Sequence, residues 1–197
     1  MIDYIKGTVV ELNPAYAVVE TGGVGYMMNI SLSTFDVLSR TGVDQKAMLY
    51  VHEAIREDAH LLYGFATRDE RVAFESLLTV PGVGPNTARM VLSSMSVDEF
   101  SQAVTGGNVS ALKAVKGVGA KTAQRIIVDL KDKIKATGDT LLQVTGQTMG
   151  EAHDEALAAL VMLGFTQQAS HKALKSLFSK DPGLSVEAAI KQALKMM

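Results

Sequence analysis

The stretch "VPGVGPNTARMVL", Val80 to Leu92, returns thirty-five residues later as "VKGVGAKTAQRII", Val115 to Ile127. Each copy writes Val-x-Gly-Val-Gly-x-x-Thr-Ala ahead of an apolar run. Ala88, Val91, Leu92 and Met95 fall at i, i+3, i+4 and i+7, and Ala123, Ile126, Ile127 and Leu130 repeat that spacing. Both runs are therefore expected to bury one face of a helix. Two copies are too few for a solenoid, so the local chemistry is the better guide. Gly82 and Gly84, like Gly117 and Gly119, permit positive φ and place no Cβ in the way of a ligand. A tight turn feeding a helix N-terminus points unpaired N–H groups at one spot, with the positive end of the helix dipole behind them. That arrangement holds an anion. The residues expected to do so are Gly82, Val83, Gly84, Asn86 and Thr87 in the first copy. In the second they are Gly117, Val118, Gly119, Lys121, Thr122 and Arg125.

Three readings compete for these glycines. The plainest is a helix–helix turn with no ligand, which would be an even choice for one copy. Two copies with the same Thr-Ala following weaken it. Nucleotide binding is the second, because "GVGAKT" resembles the end of a P-loop. Yet Ala120 stands where that loop needs glycine, and such motifs follow a β-strand, whereas these follow helical runs. The third is a tandem helix–hairpin–helix, which grips nucleic-acid backbone and so positions a protein without reading sequence. It accounts for the pairing, and we favour it.

The charge distribution agrees. The net charge of the 197-residue chain is only −2. Residues 1–64 are net −4, residues 65–137 net +3 and residues 138–197 net −1. Residues 111–135, around the second copy, hold seven basic side chains against two acidic. A local positive patch binds phosphate even on an acidic molecule. With no cysteine, disulfides and thiolate metal sites are excluded, and a reducing, cytoplasmic address is expected. No run approaches the roughly 20 apolar residues of a membrane span. His52, His60, His153 and His171 lack ligand spacing, so no metal or cofactor is expected.

Around the repeat, the chain divides into three structured segments. Residues 1–64 hold five β-prone runs, "DYIKGTVVEL", "AYAVVE", "GYMMNIS", "KAMLYVHEAI" and "AHLLYGF", with one helix expected at "STFDVLSR". Turn signals fall at Asn13-Pro14 and Gly22-Gly23. Five strands with an inserted helix fit a small closed barrel of the OB type. Residues 65–135 are helical, with Thr67/Glu70 and Ser96/Glu99 as capping-box signatures and Asn108 as a further cap. Residues 136–149, rich in Thr and Gly, read as a flexible linker. Residues 150–197 give three short helices. Leu157, Leu160 and Val161 are expected to line the first, Leu174, Leu177 and Phe178 the second, and Val186, Ala189, Ile190, Ala193 and Leu194 the third. The fold class is thus multidomain α+β.

This order of parts, with "GGVGY" at 22–26, "REDAHLLYGF" at 56–65, the paired "GVGPNTA" and "GVGAKTAQRIIVDLKDK", and "AALVMLGF" near the end, resembles the RuvA family over essentially the whole chain. The family comprises the junction-binding subunits of bacterial branch-migration complexes. The resemblance implies a four-fold symmetric homotetramer, or an octamer on DNA, that holds a four-way (Holliday) junction open and flat. It implies that the hairpins grip duplex arms from the minor-groove side. It also implies a C-terminal domain similar to ubiquitin-associated domains that recruits the hexameric ATPase RuvB, with the RuvC resolvase joining a larger complex. The family's acidic pin falls on Glu57 and Asp58. Two hairpin positions often lysine in the family are Asn86 and Ala120 here, which leaves more of the side-chain binding to Lys121 and Arg125.

Read without that resemblance, Glu57-Asp58 is an ordinary solvated hairpin tip. The Gly164-Phe165 corner is the candidate partner surface of the last segment. No Ser/His/Asp set, carboxylate cluster or sound P-loop supports catalysis. The expected function is a non-catalytic junction-binding module, and the alternative is a helix–hairpin–helix repair enzyme or nuclease subunit.

Overall fold

A computed structural model describes residues 1–141, 151–181 and 183–196. The chain divides into two compact units, Met1–Thr140 and Leu141–Met197. No helix among the described residues is long and apolar enough to cross a membrane.

The first unit begins with strands β1 (Tyr4–Leu12), β2 (Tyr16–Thr21) and β3 (Val24–Ile30), then helix α1 (Leu32–Thr41), then β4 (Lys46–Ile55) and β5 (His60–Phe65). The strands close into a barrel in the order β1-β2-β3-β5-β4, with β4 pairing back onto β1. All pairings are antiparallel except β3 with β5. Alternation sets the inside of the barrel: Ile5, Val9, Ala17, Val19, Met28, Ile30, Leu49 and Val51 are all buried. The Asn13 side chain accepts from the amides of Ala15 and Tyr16 at 2.9 and 3.1 Å, which folds the β1–β2 turn. Five strands and one inserted helix match the sequence expectation of a closed OB-type barrel.

Helices α2 (Arg68–Leu78), α3 (Pro85–Ser94), α4 (Val97–Thr105), α5 (Val109–Lys113) and α6 (Ala120–Leu141) follow. Thr67, Ser96 and Asn108 cap α2, α4 and α5 as their positions in the sequence imply. The capping box at Ser96/Glu99 closes in both directions, and the amide and hydroxyl of Ser96 hold the Glu99 carboxyl below the usual glutamate range. At Thr67/Glu70 only half of the box forms. The Glu70 amide bonds the Thr67 hydroxyl at 3.2 Å, while the Glu70 carboxylate leaves for Ser31 and Thr34 on the barrel side.

One core runs from the barrel into these helices. Tyr63 and Phe65 of β5 lie 5.1 and 4.9 Å from the Phe74 ring of α2, and Phe74, Leu77, Leu92, Phe100, Leu112 and Ile126 are almost wholly buried in the same cluster. Each such side chain contributes about 1.5–3 kcal/mol relative to exposure, so barrel and hairpins fold as one body. Helix α6 runs further than expected: positions 136–141 of the segment read as a linker are helical. Backbone bonding propagates there without needing an apolar stripe. Positions 142–149 of that segment lie outside the described residues.

The second unit holds α7 (Glu151–Met162), α8 (Gln167–Lys180) and α9 (Val186–Ala193). Thr166 and Ser185 cap α8 and α9. Its small core contains Ala156, Leu160, Ala173, Leu174, Leu177, Ala189 and Ala193. Two residues expected in the apolar stripes, Val161 and Leu194, are instead exposed. A core built largely on alanine is narrow, and the stripes are wider than the surface available to cover them.

Candidate nucleic-acid interface

The two Gly-Val-Gly turns fold identically. In the first, Val80 donates to Leu77 O at 3.1 Å, Val83 to Val80 O at 3.0 Å and Ala88 to Gly84 O at 2.9 Å. In the second, Val115 donates to Leu112 O at 3.2 Å, Val118 to Val115 O at 3.1 Å and Ala123 to Gly119 O at 2.9 Å. Gly82 and Gly117 carry φ of 90° and 93°. That left-handed turn is open to glycine and strained for other residues. Gly84, the N-cap of α3, is extended at φ −95°, so the freedom expected at both glycines of each pair is used only at the first. A Cβ built on Gly84 or Gly119 meets nothing within 4 Å. The fold itself has room for a side chain there, and what glycine preserves is bare backbone facing outward.

Helix α3 has no side-chain cap and opens on Pro85, which has no N–H to satisfy. The amides of Gly84, Asn86 and Thr87 have no protein partner among the described residues, nor do those of Gly119, Ala120, Lys121 and Thr122. Each turn thus presents a fan of donors at the positive end of a helix. The side chains of Asn86, Lys121 and Arg125 are exposed beside it, and those of Thr87 and Thr122 are half-buried. Chemically, the pair can hold two phosphates through backbone N–H groups, with added charge at the second turn.

Val83 and Val118 are placed differently from the sequence expectation. Both side chains are buried in the core, and both amides are already bonded within the turn. They seat the hairpins and offer nothing outward. The valine-every-third pattern Leu77, Val80, Val83 and Leu112, Val115, Val118 carried that signal in the sequence.

Arg125 has a second task. Its guanidinium donates to the Pro81 carbonyl at 3.2 Å, joining the second turn of α6 to the other hairpin. An arginine has five N–H donors, so this bond leaves others for a phosphate. Lys133 donates to the Thr79 hydroxyl at 3.3 Å, eight residues along the same face. Replacing Lys121 and Arg125 with alanine is therefore expected to weaken junction and duplex binding alike. It should also lower the slope of log affinity against log salt by up to about two units, since each phosphate contact contributes roughly one. A salt titration of the double variant checks this, and an unchanged slope would show that neither side chain touches the backbone.

Glu57 and Asp58 occupy the exposed tip between β4 and β5, closed by the Arg56 amide bonding Ala59 O at 2.8 Å. Neither acid makes a hydrogen bond or ion pair among the described residues. Gly164, at φ +96°, ends α7 as the Phe165 amide bonds Leu160 O at 3.2 Å. The Phe165 side chain packs half-buried on the core. The three residues before this corner, Val161, Met162 and Leu163, are 42%, 88% and 60% exposed. They were missed as a surface because the helical stripe made Val161 look like core.

A closed barrel whose β5 packs Tyr63 and Phe65 into the core of two tandem hairpins, each baring a helix N-terminus, defines a helix–hairpin–helix protein. Comparison with known proteins gives the family. Residues 1–64 match the RuvA N-terminal domain, residues 74–132 the SAM-like helix-hairpin-helix tandem and residues 151–197 the RuvA C-terminal domain. The chain is 50% identical over 199 residues to the Holliday junction branch migration complex subunit RuvA of Parabacteroides distasonis, covering all of both chains. It is 47% identical over 205 residues to that of Bacteroides fragilis, again at full coverage, and 42% identical over 195 residues to that of Flavobacterium psychrophilum, covering 99% of each. The chain belongs to the RuvA family.

Proposed function

We propose that this chain is the DNA-binding subunit of a branch-migration complex. It recognises four-way junctions by their shape and recruits a separate motor. The observation that carries this reading is the duplicated hairpin, with the same bonds and the same bare amides in both copies, fixed to one barrel. Full-length relatives named as Holliday junction branch migration subunits support it. Four copies around a crossover would give each duplex arm its own pair of hairpins and bring four pairs of acids, Glu57 and Asp58, to the point where strands exchange. Hairpins hold the arms, the acids repel strands that would lie across the centre, and the open form is favoured. The motor is the ATPase RuvB, and this chain supplies no catalytic group of its own. The RuvC resolvase would act on the same open junction.

The test is a four-part comparison: chain alone with ATP, motor alone with ATP, both without ATP, and both with ATP, each on a synthetic four-way junction with Mg²⁺. The reading expects branch migration only in the last. ATP hydrolysis or strand cleavage by the chain alone would favour the repair-enzyme alternative.

The motor contact falls to the second unit. Val161, Met162 and Leu163 form an uncovered apolar step beside Gly164-Phe165, and such contiguous exposure marks interaction surfaces. Met162→Lys with Leu163→Ser should cut stimulation of branch migration at least about thirtyfold, the roughly 2 kcal/mol typical of a central interface residue. Junction binding should stay the same in a mobility-shift assay.

A further inference from the structure

Buried between barrel and hairpins lies a carboxylate that the DNA-binding reading leaves unused. Glu70, on the first turn of α2, is 4% exposed, and its partners Ser31 and Thr34 are fully buried. The Ser31 hydroxyl donates to Glu70 Oε1. The Thr34 hydroxyl donates to Glu70 Oε2 at 2.7 Å. Each hydroxyl also accepts a backbone N–H: Ser31 Oγ takes that of Thr34 at 3.0 Å, and Thr34 Oγ1 takes that of Ala66 at 2.9 Å. Both hydroxyl protons are therefore committed to Glu70, and two converging donors need two acceptor oxygens. A carboxylate provides them; an amide provides one and sets a donor against a donor.

Burial pushes the Glu70 carboxyl above the usual glutamate range, against the opposing effect of the two hydroxyls and the Ala66 backbone. An apolar contact would fill this space at lower cost, since buried charge must recover its desolvation through partners. What directional bonds supply instead is a single geometry. The elements they join are the relevant ones. Ser31 and Thr34 begin α1, and the same turn of α1 bonds α3: Leu32 N–H to Ser93 Oγ at 3.1 Å, and Ser33 Oγ to Leu92 O at 2.8 Å. Helices α2 and α3 are the two that flank the first hairpin. Ala66 directly follows β5, the strand that begins at the acidic tip. The α1 turn thus clamps both helices of the first hairpin at the foot of the strand that carries Glu57 and Asp58.

We propose that the Ser31–Thr34–Glu70 latch fixes the first hairpin relative to the acidic tip, making Glu70 a positioning residue for junction selectivity. This rests on the junction-binding reading. A hairpin grips one phosphate run whatever its orientation, so duplex binding tolerates a loose latch. Gripping arms that diverge around a pin requires several contacts at once, and simultaneous engagement is lost when the geometry is wrong.

The experiment uses full-length Glu70→Gln and Thr34→Val, the second keeping the carboxylate should the first fold poorly. Val9→Ala, in the barrel core away from the latch, is a control for stability loss. In DNA-free protein, spin labels at Arg56→Cys and Asn86→Cys report the tip-to-hairpin distance. The chain has no cysteine of its own, and dilution into excess unlabelled chain isolates pairs within one chain. On unlabelled variants, dissociation constants for duplex and junction are measured at one salt concentration. The latch variants should broaden the distance distribution, keep duplex affinity within about threefold and lose about tenfold in junction affinity, as expected when simultaneous engagement fails. Val9→Ala should leave the distance distribution, the duplex affinity and the junction affinity as in the wild type. Unchanged width in folded latch variants overturns the proposal, as does an equal loss of selectivity in Val9→Ala. If the wild type itself shows no junction preference, the junction reading fails, and the distance measurement alone decides the positioning claim.

Discussion

A chain ending at Leu141 should bind four-way junctions within about threefold of full-length affinity and lose stimulation of branch migration altogether. Every residue of the barrel and hairpin cores lies between Ile2 and Ile134, and every residue of the third core lies between Ala156 and Ala193. Among the described residues the two sets have no member in common, so the first unit has a core of its own, and cavity formation is the usual source of a large stability loss. Stopping at Leu141 keeps α6 whole, with Lys121, Arg125 and its bond to Pro81. The proposed motor contact should go completely, because the exposed step at Val161–Leu163 goes with it. Mobility shift with junction DNA and a branch-migration assay with added motor check the two halves separately. Lost junction binding would show that the modular division is wrong.

Glu57→Gln with Asp58→Asn should bind linear duplex more tightly, keep or improve junction binding, and so lose discrimination between them by about tenfold, or 1.4 kcal/mol. A carboxylate and a phosphate about 4 Å apart repel by roughly 1 kcal/mol in water, and several times that where solvent is partly excluded. In the proposed four-fold assembly, duplex lying across the centre would meet that repulsion from four tips. An open junction, whose strands diverge there, would meet less. On this proposal the acids would gain specificity by penalising the wrong substrate. Both side chains are exposed and unpaired among the described residues, so thermal stability should hardly move. The ratio of duplex to junction dissociation constants at one salt concentration is the measurement. An identical ratio in wild type and variant would leave the acids as a solvated turn and nothing more.

What the sequence revealed and what it hid divide along a physical line. Five short β-prone runs separated by turn signals at Asn13-Pro14 and Gly22-Gly23 marked a closed barrel because those signals are local and repeated. Thr67, Ser96 and Asn108 marked helix starts correctly because capping involves residues three apart. The same Thr-x-x-Glu pattern misled at Glu70, whose carboxylate is claimed by Ser31 and Thr34, more than thirty residues upstream. A local pattern cannot show a tertiary competitor. Arg125 and Pro81 are another case: sequence suggested a phosphate ligand, and the fold adds a brace across 44 residues. Val83 and Val118 were legible in principle, since a valine between two glycines is costly in a solvated turn and belongs inside. Positions 136–141 read as linker because apolar period was taken as the mark of a helix, and the sequence "ATGDTL" carries none.

The central claim is recognition of DNA shape through repeated backbone clamps. Its most direct test is one competition experiment at fixed salt: a four-way junction, a linear duplex of equal length, and a second junction with arm sequences exchanged. The account predicts that both junctions bind alike and that each outcompetes the duplex by at least about tenfold, or 1.4 kcal/mol. Equal affinity for junction and duplex, or a change of more than about tenfold on exchanging the arm sequences, would contradict it.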